Sequence, residues 1–136
     1  MAKTIVIVDD VAFVRKTLTT LLSNANYQVI GEASNGEDAS KLFESLKPDL
    51  ITMDMVMPGI SGIEATRKIM SFDKKAKVII ISALNQENII MEAINAGAKD
   101  YIIKPFSAQD ILKAVERALL GDEYVLGRTV QSREAS

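Results

Sequence analysis

Residues 5–10 read Ile5-Val6-Ile7-Val8-Asp9-Asp10, four β-branched side chains in succession and then, without a break, two carboxylates. A branched aliphatic run with no polar residue alternating through it suits a strand buried on both faces, as in a parallel sheet covered by helices. The chain on either side keeps to that reading. Val14, Leu18, Leu21, Leu22 and Ala25 recur at helical spacing and predict an amphipathic helix. Residues 27–33 predict a second strand, which Gln28 and Glu32 suit to an edge position. Asn35-Gly36 turns the chain into a stripe of Ala39, Leu42, Phe43 and Leu46, ended by Pro48. Residues 50–53 form a third apolar strand running into Asp54. Pro58-Gly59 and Gly62 mark a loop, after which Ile63, Thr66 and Met70 face inward from a third helix. Residues 78–81 are the most apolar strand. In the next helix Ile90, Ala93, Ile94 and Gly97 form the inner stripe, Ile89 falls outside it, and Gly97 serves as a C-cap. Residues 101–103 are a fifth strand. Ser107 caps a last helix with Leu112, Val115 and Leu119 inward, which Gly121 stops. Strict strand–helix alternation predicts an α/β fold, a five-stranded parallel sheet with helices on both faces. Residues 1–121 form one domain in this reading, and 122–136 a tail of unknown structure.

Composition bounds the chemistry. The chain has 136 residues, 48% hydrophobic and 25% charged, the balance of one globular domain. Lys and Arg number 16 against 18 Asp and Glu, a formal net charge of −2, which gives no basic footprint for nucleic acid. There is no Cys and no His. Disulfides, thiol nucleophiles, zinc-thiolate sites, imidazole metal cages and a Ser-His-Asp triad are thereby excluded. No apolar run approaches the roughly 18 residues of a membrane span, and no signal-peptide pattern opens the chain, so a cytoplasmic location is expected. Chemistry falls to carboxylates, hydroxyls, Lys and Arg.

In an open α/β sheet, ligands bind beyond the carboxyl ends of the strands. The first strand exits into Asp9-Asp10, the third into Asp54, the fourth into Ser82 and the fifth into Lys104-Pro105, while the second contributes nothing comparable. Each has a plainer use: Asp and Ser cap helices, and Lys is ordinarily a solvated surface residue. Four independent caps would not alternate charge around one crevice, however, and convergent titratable groups at a sheet's switch point read better as a site. Three carboxylates held close repel one another and need a cation. Oxygen donors alone select a hard ion such as Mg²⁺. A carboxylate beside Mg²⁺ and Lys is an arrangement for forming an aspartyl phosphate. Asp54, alone at the end of a central strand, is the candidate nucleophile, with Asp9 and Asp10 left to hold the metal.

The motifs Val8-Asp9-Asp10, Met53-Asp54-Met55-Val56-Met57-Pro58-Gly59, Ser82-Ala83, and Ala96-Gly97-Ala98 leading to Lys104-Pro105-Phe106 occur in this order. Together they resemble the response-regulator receiver domains, over about residues 3–120. With no output domain in the sequence, the likeness is greatest to the family's stand-alone chemotaxis regulators. It implies a flavodoxin-like (βα)5 fold with strand order 2-1-3-4-5. It implies that Asp54 accepts a phosphoryl group from the phospho-His of a sensor histidine kinase. Mg²⁺ would be held by Asp9, Asp10, Asp54 and the backbone carbonyl of Val56. Lys104 would contact a phosphoryl oxygen, with the Lys104–Pro105 peptide cis. Ser82 and Tyr101 would be switch residues, the hydroxyl of Ser82 bonding the phosphoryl group as Tyr101 swings inward. Such a protein catalyses only its own phosphorylation and dephosphorylation, and is no turnover enzyme.

The partners implied are the kinase and a downstream target such as the flagellar motor switch or a phosphatase, met through the fourth helix, fifth strand and last helix. No direct nucleic acid and no membrane insertion are implied. The protein would be a monomer, with dimerisation on phosphorylation as an alternative. Phe13, off its helical stripe beside the acidic pair, is a candidate kinase or phosphatase contact. Val56 and Leu84 stand where polar side chains often orient water in the chemotaxis relatives, and their apolar character should slow phosphate loss. Three other functions share parts of this pattern. A receiver domain cut from a DNA-binding transcriptional regulator differs only in output. A flavodoxin-like cofactor protein would need a phosphate-cradling loop where Asp9-Asp10 stands. A carboxylate-nucleophile phosphatase would want a second Asp where Val56 stands.

Overall fold

Strand and helix alternate throughout residues 2–124, which the computed structural model describes. The elements are β1 (Thr4–Val8), α1 (Ala12–Asn24), β2 (Gln28–Ala33), α2 (Gly36–Leu46), β3 (Leu50–Met53), α3 (Gly62–Phe72), β4 (Val78–Ser82), α4 (Glu87–Asn95), β5 (Asp100–Ile103) and α5 (Ala108–Tyr124). The strands form one sheet in the order β2-β1-β3-β4-β5, and every pairing is parallel. This is the doubly wound α/β architecture read from the sequence, in the strand order the family resemblance implies.

The two-residue period of the strands divides the core in two. Ile5, Ile7, Leu50, Ile79, Ile81 and Ile102 face one side, where α1 covers them with Leu18 and Leu22 and α5 with Ile111, Ala114, Val115 and Ala118. Val6, Val8, Ile51, Met53, Val78 and Ile80 face the other, under Ala39 and Phe43 of α2, Ile63, Ala65 and Ile69 of α3, and Ala93 of α4. Because both faces are covered, β3 and β4 are buried at every residue. At the edge, β2 leaves Gln28 and Glu32 exposed, as expected. The methionines Met53, Met55 and Met57 are buried core fillers.

Side-chain caps set the entry of several helices. Asn35 does not merely turn the chain: it is the N-cap of α2, accepting from the Asp38 amide at 2.8 Å. Ser61 caps α3 by accepting from Glu64 N at 3.1 Å. Ser107 accepts from Asp110 N at 3.1 Å while its own amide donates to Asp110 Oδ2 at 3.2 Å, a reciprocal cap. Gly97 follows α4 with φ +119°, a conformation that suits glycine.

Two helical expectations are corrected. In α4 the side chains packed toward the core are Ile89, Ala93 and Ala96, while Ile94 is exposed. Apolar residues on neighbouring faces offer two stripes at helical spacing, and only the layer beneath the helix decides between them. In α5 the helix passes through Gly121 and ends at Tyr124. Glycine inside a helix costs about 1 kcal/mol relative to Ala but keeps its N–H, so it weakens a helix without stopping it. Of the expected tail, residues 125–136 lie outside the described residues. Among those described, no helix is long and apolar enough to cross a membrane.

One core position is chemically mismatched. Thr52 of β3 pairs with Ile7 and Ile79 across the sheet, and its hydroxyl is buried with no hydrogen-bond partner among the described residues. A buried polar group without a partner costs about 1–3 kcal/mol. Thr52→Val keeps the shape and removes the orphan, and chemical denaturation should show a gain of about 1 kcal/mol in unfolding free energy.

Candidate functional site

Parallel pairing brings the residues that follow each strand to one edge. Val8 is in register with Met53, and the ladder runs one residue further, with Asp54 N donating to Val8 O and Asp9 N to Ala33 O, each at 3.0 Å. Asp9 and Asp54 therefore leave the sheet side by side. One carboxylate oxygen from each of Asp9, Asp10 and Asp54 lies within 4.8 Å of the others. Asp9 and Asp54 are buried and Asp10 is exposed. From β5, Lys104 reaches into the cluster, its Nζ 2.8 Å from Asp9 Oδ2 and 3.4 Å from Asp54 Oδ2. The Lys104–Pro105 peptide is cis, as the resemblance implied.

The plainer use of these residues as helix caps does not hold. The N-cap of α1 is Val11, with no side-chain cap bond, and that of α4 is Gln86, likewise without one. Asp9 Oδ1 instead accepts from Val11 N at 2.9 Å, and Asp54 Oδ1 accepts from Met55 N at 2.7 Å. Each buried carboxylate thus has one oxygen fixed by backbone and the other turned to Lys104.

Ser82 and Tyr101 lie beside this cluster and meet through Leu84. Ser82 is buried, and its Oγ accepts from Leu84 N at 3.2 Å. The half-buried Tyr101 donates its hydroxyl to Leu84 O at 2.7 Å. Lys104 N donates to Ser82 O at 2.9 Å, so β4 and β5 stay in register up to the site. The side chain of Val56 is 61% exposed and that of Phe13 75%, both in segments that flank the acidic residues.

The electrostatics follow from this crowding. Burial pushes the Asp54 carboxyl above the usual carboxylate range, and the charge of Asp9 pushes it further; Lys104 and the Met55 amide act against both. For Lys104, burial disfavours the ammonium, yet the hydrogen bonds and charges of Asp9 and Asp54 outweigh it and hold its pKa above that of an ordinary lysine. Three converging oxygens with no nitrogen or sulfur donor fit a hard divalent cation such as Mg²⁺.

A constraint missed in the sequence is Gly62. Taken there as loop punctuation, it is the buried first residue of α3, and its amide donates to Met55 O at 2.9 Å. A Cβ at this position would overlap the carbonyl oxygen of Asp54 and crowd Met55 Cα. The start of α3 thus lies against the backbone of Asp54, which only glycine permits. In sequence, Ser61-Gly62 before an apolar stripe carries the cap signal but not this contact.

The particular arrangement, with carboxylates just past β1 and β3 facing an ammonium just past β5 of a 2-1-3-4-5 sheet, has a match along the chain. Residues 5–116 match the response regulator receiver domain, and the chain belongs to that family, a component of two-component signalling. Over 117 residues it is 45% identical to the chemotaxis protein CheY of Thermotoga maritima, covering 86% of this chain and 98% of that protein. Over 115 residues it is 48% identical to protein CcdB of Bacillus subtilis, covering 85% and 96%. A chain in the crystal structure of the CheX–CheY–BeF3–Mg²⁺ complex from Borrelia burgdorferi superposes with a TM-score of 0.81 at 36% identity, covering 83% of this chain and 86% of that one. The chain is a CheY-like receiver domain.

A pH dependence follows. The folded protein binds a proton on Asp54 more tightly than the unfolded chain does. In the absence of metal, this group's contribution to stability is therefore fully present below the unfolded pKa, near 3.9 for a free Asp. It is lost as pH rises through the higher folded value. Asp54→Asn removes that loss. Metal-free at pH 7, the variant should melt a few degrees above the parent, with a flatter pH profile across the acidic range.

Proposed function

We propose that this protein is a phosphorylation-controlled switch that accepts a phosphoryl group on Asp54 from a sensor histidine kinase and passes the signal to a protein target. The observation that carries this reading is the convergence of Asp9, Asp10 and Asp54 oxygens within 4.8 Å, with the Lys104 ammonium set against them. Asp54 Oδ2, the oxygen not bonded to the Met55 amide, attacks phosphorus; a P–O bond forms as the P–N bond of the phosphohistidine breaks, and the departing imidazole takes up a proton. Asp9, Asp10, Asp54 and the Val56 carbonyl would hold Mg²⁺, which when bound neutralises charge on the transferring phosphoryl oxygens. Lys104, already between the two buried carboxylates, turns to a phosphoryl oxygen as the second positive group. Hydrolysis ends the signal when water attacks phosphorus and the aspartyl P–O bond breaks, returning the Asp54 carboxylate and inorganic phosphate.

Ser82 and Tyr101 are the switch. A phosphoryl group that draws the Ser82 hydroxyl pulls on Leu84, and Leu84 O is the acceptor for Tyr101. The α4–β5–α5 surface, where Met91, Ile94 and Ile103 are exposed, is then the output face, favoured in one of two packings. Residues through the end of α5 act as one receiver domain, cytoplasmic and monomeric. A flagellar motor switch or a phosphatase is the downstream partner, in chemotaxis. Support for that output over a DNA-binding regulator comes from the 45% identity to the chemotaxis protein of T. maritima, against 32% to a LuxR-family response regulator. The Borrelia complex supports the metal, since the CheY in it is described with BeF3 and Mg²⁺.

Intact mass after incubation with acetyl phosphate tests the nucleophile. The expected result is one added phosphoryl group that needs Mg²⁺ and is missing in Asp54→Asn; an adduct on Asp54→Asn, or none on the parent, would overturn the reading. The apolar flanks make a second expectation. Val56→Asn combined with Leu84→Glu should shorten the phosphoryl half-life by about tenfold, below the roughly 10²–10⁴-fold typical of a fully positioned general acid or base. Decay of the phosphorylated species followed by mass spectrometry checks it.

A further inference from the structure

The edge strand β2 sends no side chain into the acidic cluster, yet it reaches the site through Arg15. The Arg15 Nη1 donates to the backbone carbonyl of Asp9 at 2.6 Å, and its Nε donates to Glu32 Oε1 of β2 at 3.0 Å. Arg15 is only 21% exposed, which holds the guanidinium against the protein. We propose that Arg15, braced by Glu32, is a positioning residue for the metal-binding carboxylates. This rests on the reading that Asp9 and Asp10 hold Mg²⁺.

The Asp9 carbonyl belongs to the peptide that joins the two acidic residues. It lies one residue past β1, where the sheet offers it no ladder partner, and Arg15 is its donor among the described residues. The rest of Asp9 is fixed at every polar atom: N to Ala33 O, Oδ1 to Val11 N, Oδ2 to Lys104. Asp10 is exposed, so the direction in which its carboxylate leaves the chain depends on the plane of the peptide before it. That plane is set by Arg15. A planar fork is required, because one group must bond a carbonyl on the β1–α1 loop and a carboxylate on β2 at once. Glu32, read in the sequence as an ordinary polar residue of an edge strand, is the brace. Supporting residues of this kind are worth about 10- to 100-fold in metal affinity.

The sign of the effect separates positioning from charge. Arg15 is a cation near an anionic cluster, so on Coulombic grounds alone its removal would tighten Mg²⁺ binding. Positioning predicts the reverse. The experiment is calorimetric titration of MgCl2 into the metal-free parent, Arg15→Ala, Arg15→Lys, Glu32→Ala and the Arg15→Ala/Glu32→Ala double variant, with melting temperatures taken without metal. Arg15→Ala should bind Mg²⁺ about tenfold more weakly at a melting temperature near the parent's, with Arg15→Lys and Glu32→Ala each losing about threefold. The double variant should match Arg15→Ala, because Glu32 acts through the guanidinium. Equal or tighter binding by Arg15→Ala overturns the proposal, as does a Glu32→Ala loss that adds in full to that of Arg15→Ala. Should Arg15→Ala fail to fold, Arg15→Lys, which keeps the charge and loses the fork, carries the same test: parent-like affinity in it overturns the proposal. No Mg²⁺ binding by the parent overturns the metal reading itself, and this inference with it.

Discussion

Mutual repulsion among three carboxylates is the condition around which this molecule is arranged. Their oxygens lie within 4.8 Å of one another, and two of the three are buried, where like charges are poorly screened. Lys104 pairs with both buried members but leaves the cluster with two net negative charges. On the proposed reading, a divalent cation would restore the balance and a phosphoryl group on Asp54 would disturb it again. Its tension is visible in Asp54, whose carboxyl stays above the usual range although an ammonium and a backbone amide both favour its ionised form.

The fold holds that tension in place by making the surrounding backbone stiff. Strands β1, β3 and β4 are covered on both faces by branched aliphatic side chains, and the ladder continues past their ends to Asp9 and Asp54. From one side, the start of α3 closes on the Asp54 backbone so tightly that only Gly62 fits. From the other, Arg15 ties the β1–α1 loop to β2. Against these fixed parts, the Ser82–Leu84–Tyr101 chain is built from just two hydrogen bonds, both to Leu84. On the proposed switch, that contrast between a fixed Asp54 and lightly held neighbours would let a local charge change be felt on the α4–β5 side of the molecule.

Much of this was legible in the residues. Strand positions came from runs such as Ile5-Val6-Ile7-Val8, and the acidic pair and Lys104 stood out because each directly follows such a run. Less was legible where two local readings had equal merit. Ile89 and Ile94 both fit a helical stripe, and the layer beneath α4 chose Ile89. Gly121 looked like a stop, yet a glycine only weakens a helix that other residues sustain. Gly62 looked like part of a loop because the atom it must avoid, the Asp54 carbonyl, belongs to another element. Glu32 looked like solvent-facing filler because its partner lies 17 residues away, on α1.

The sequence by itself determined the periodicity, and with it the parallel sheet, its two buried faces and the edge at which charged side chains emerge. Composition went further: without His or Cys, any metal here must be bound by oxygen. Tertiary structure alone decided which groups face one another across strands: the 2.8 Å pair of Lys104 with Asp9, the Arg15 brace and the contact that requires Gly62. The reason is the range of the forces involved. Strand and helix preferences act between residues a few positions apart and leave a periodic trace in the chain. Coulombic, steric and hydrogen-bond contacts act over a few ångströms of space, whatever the separation in sequence, and leave none.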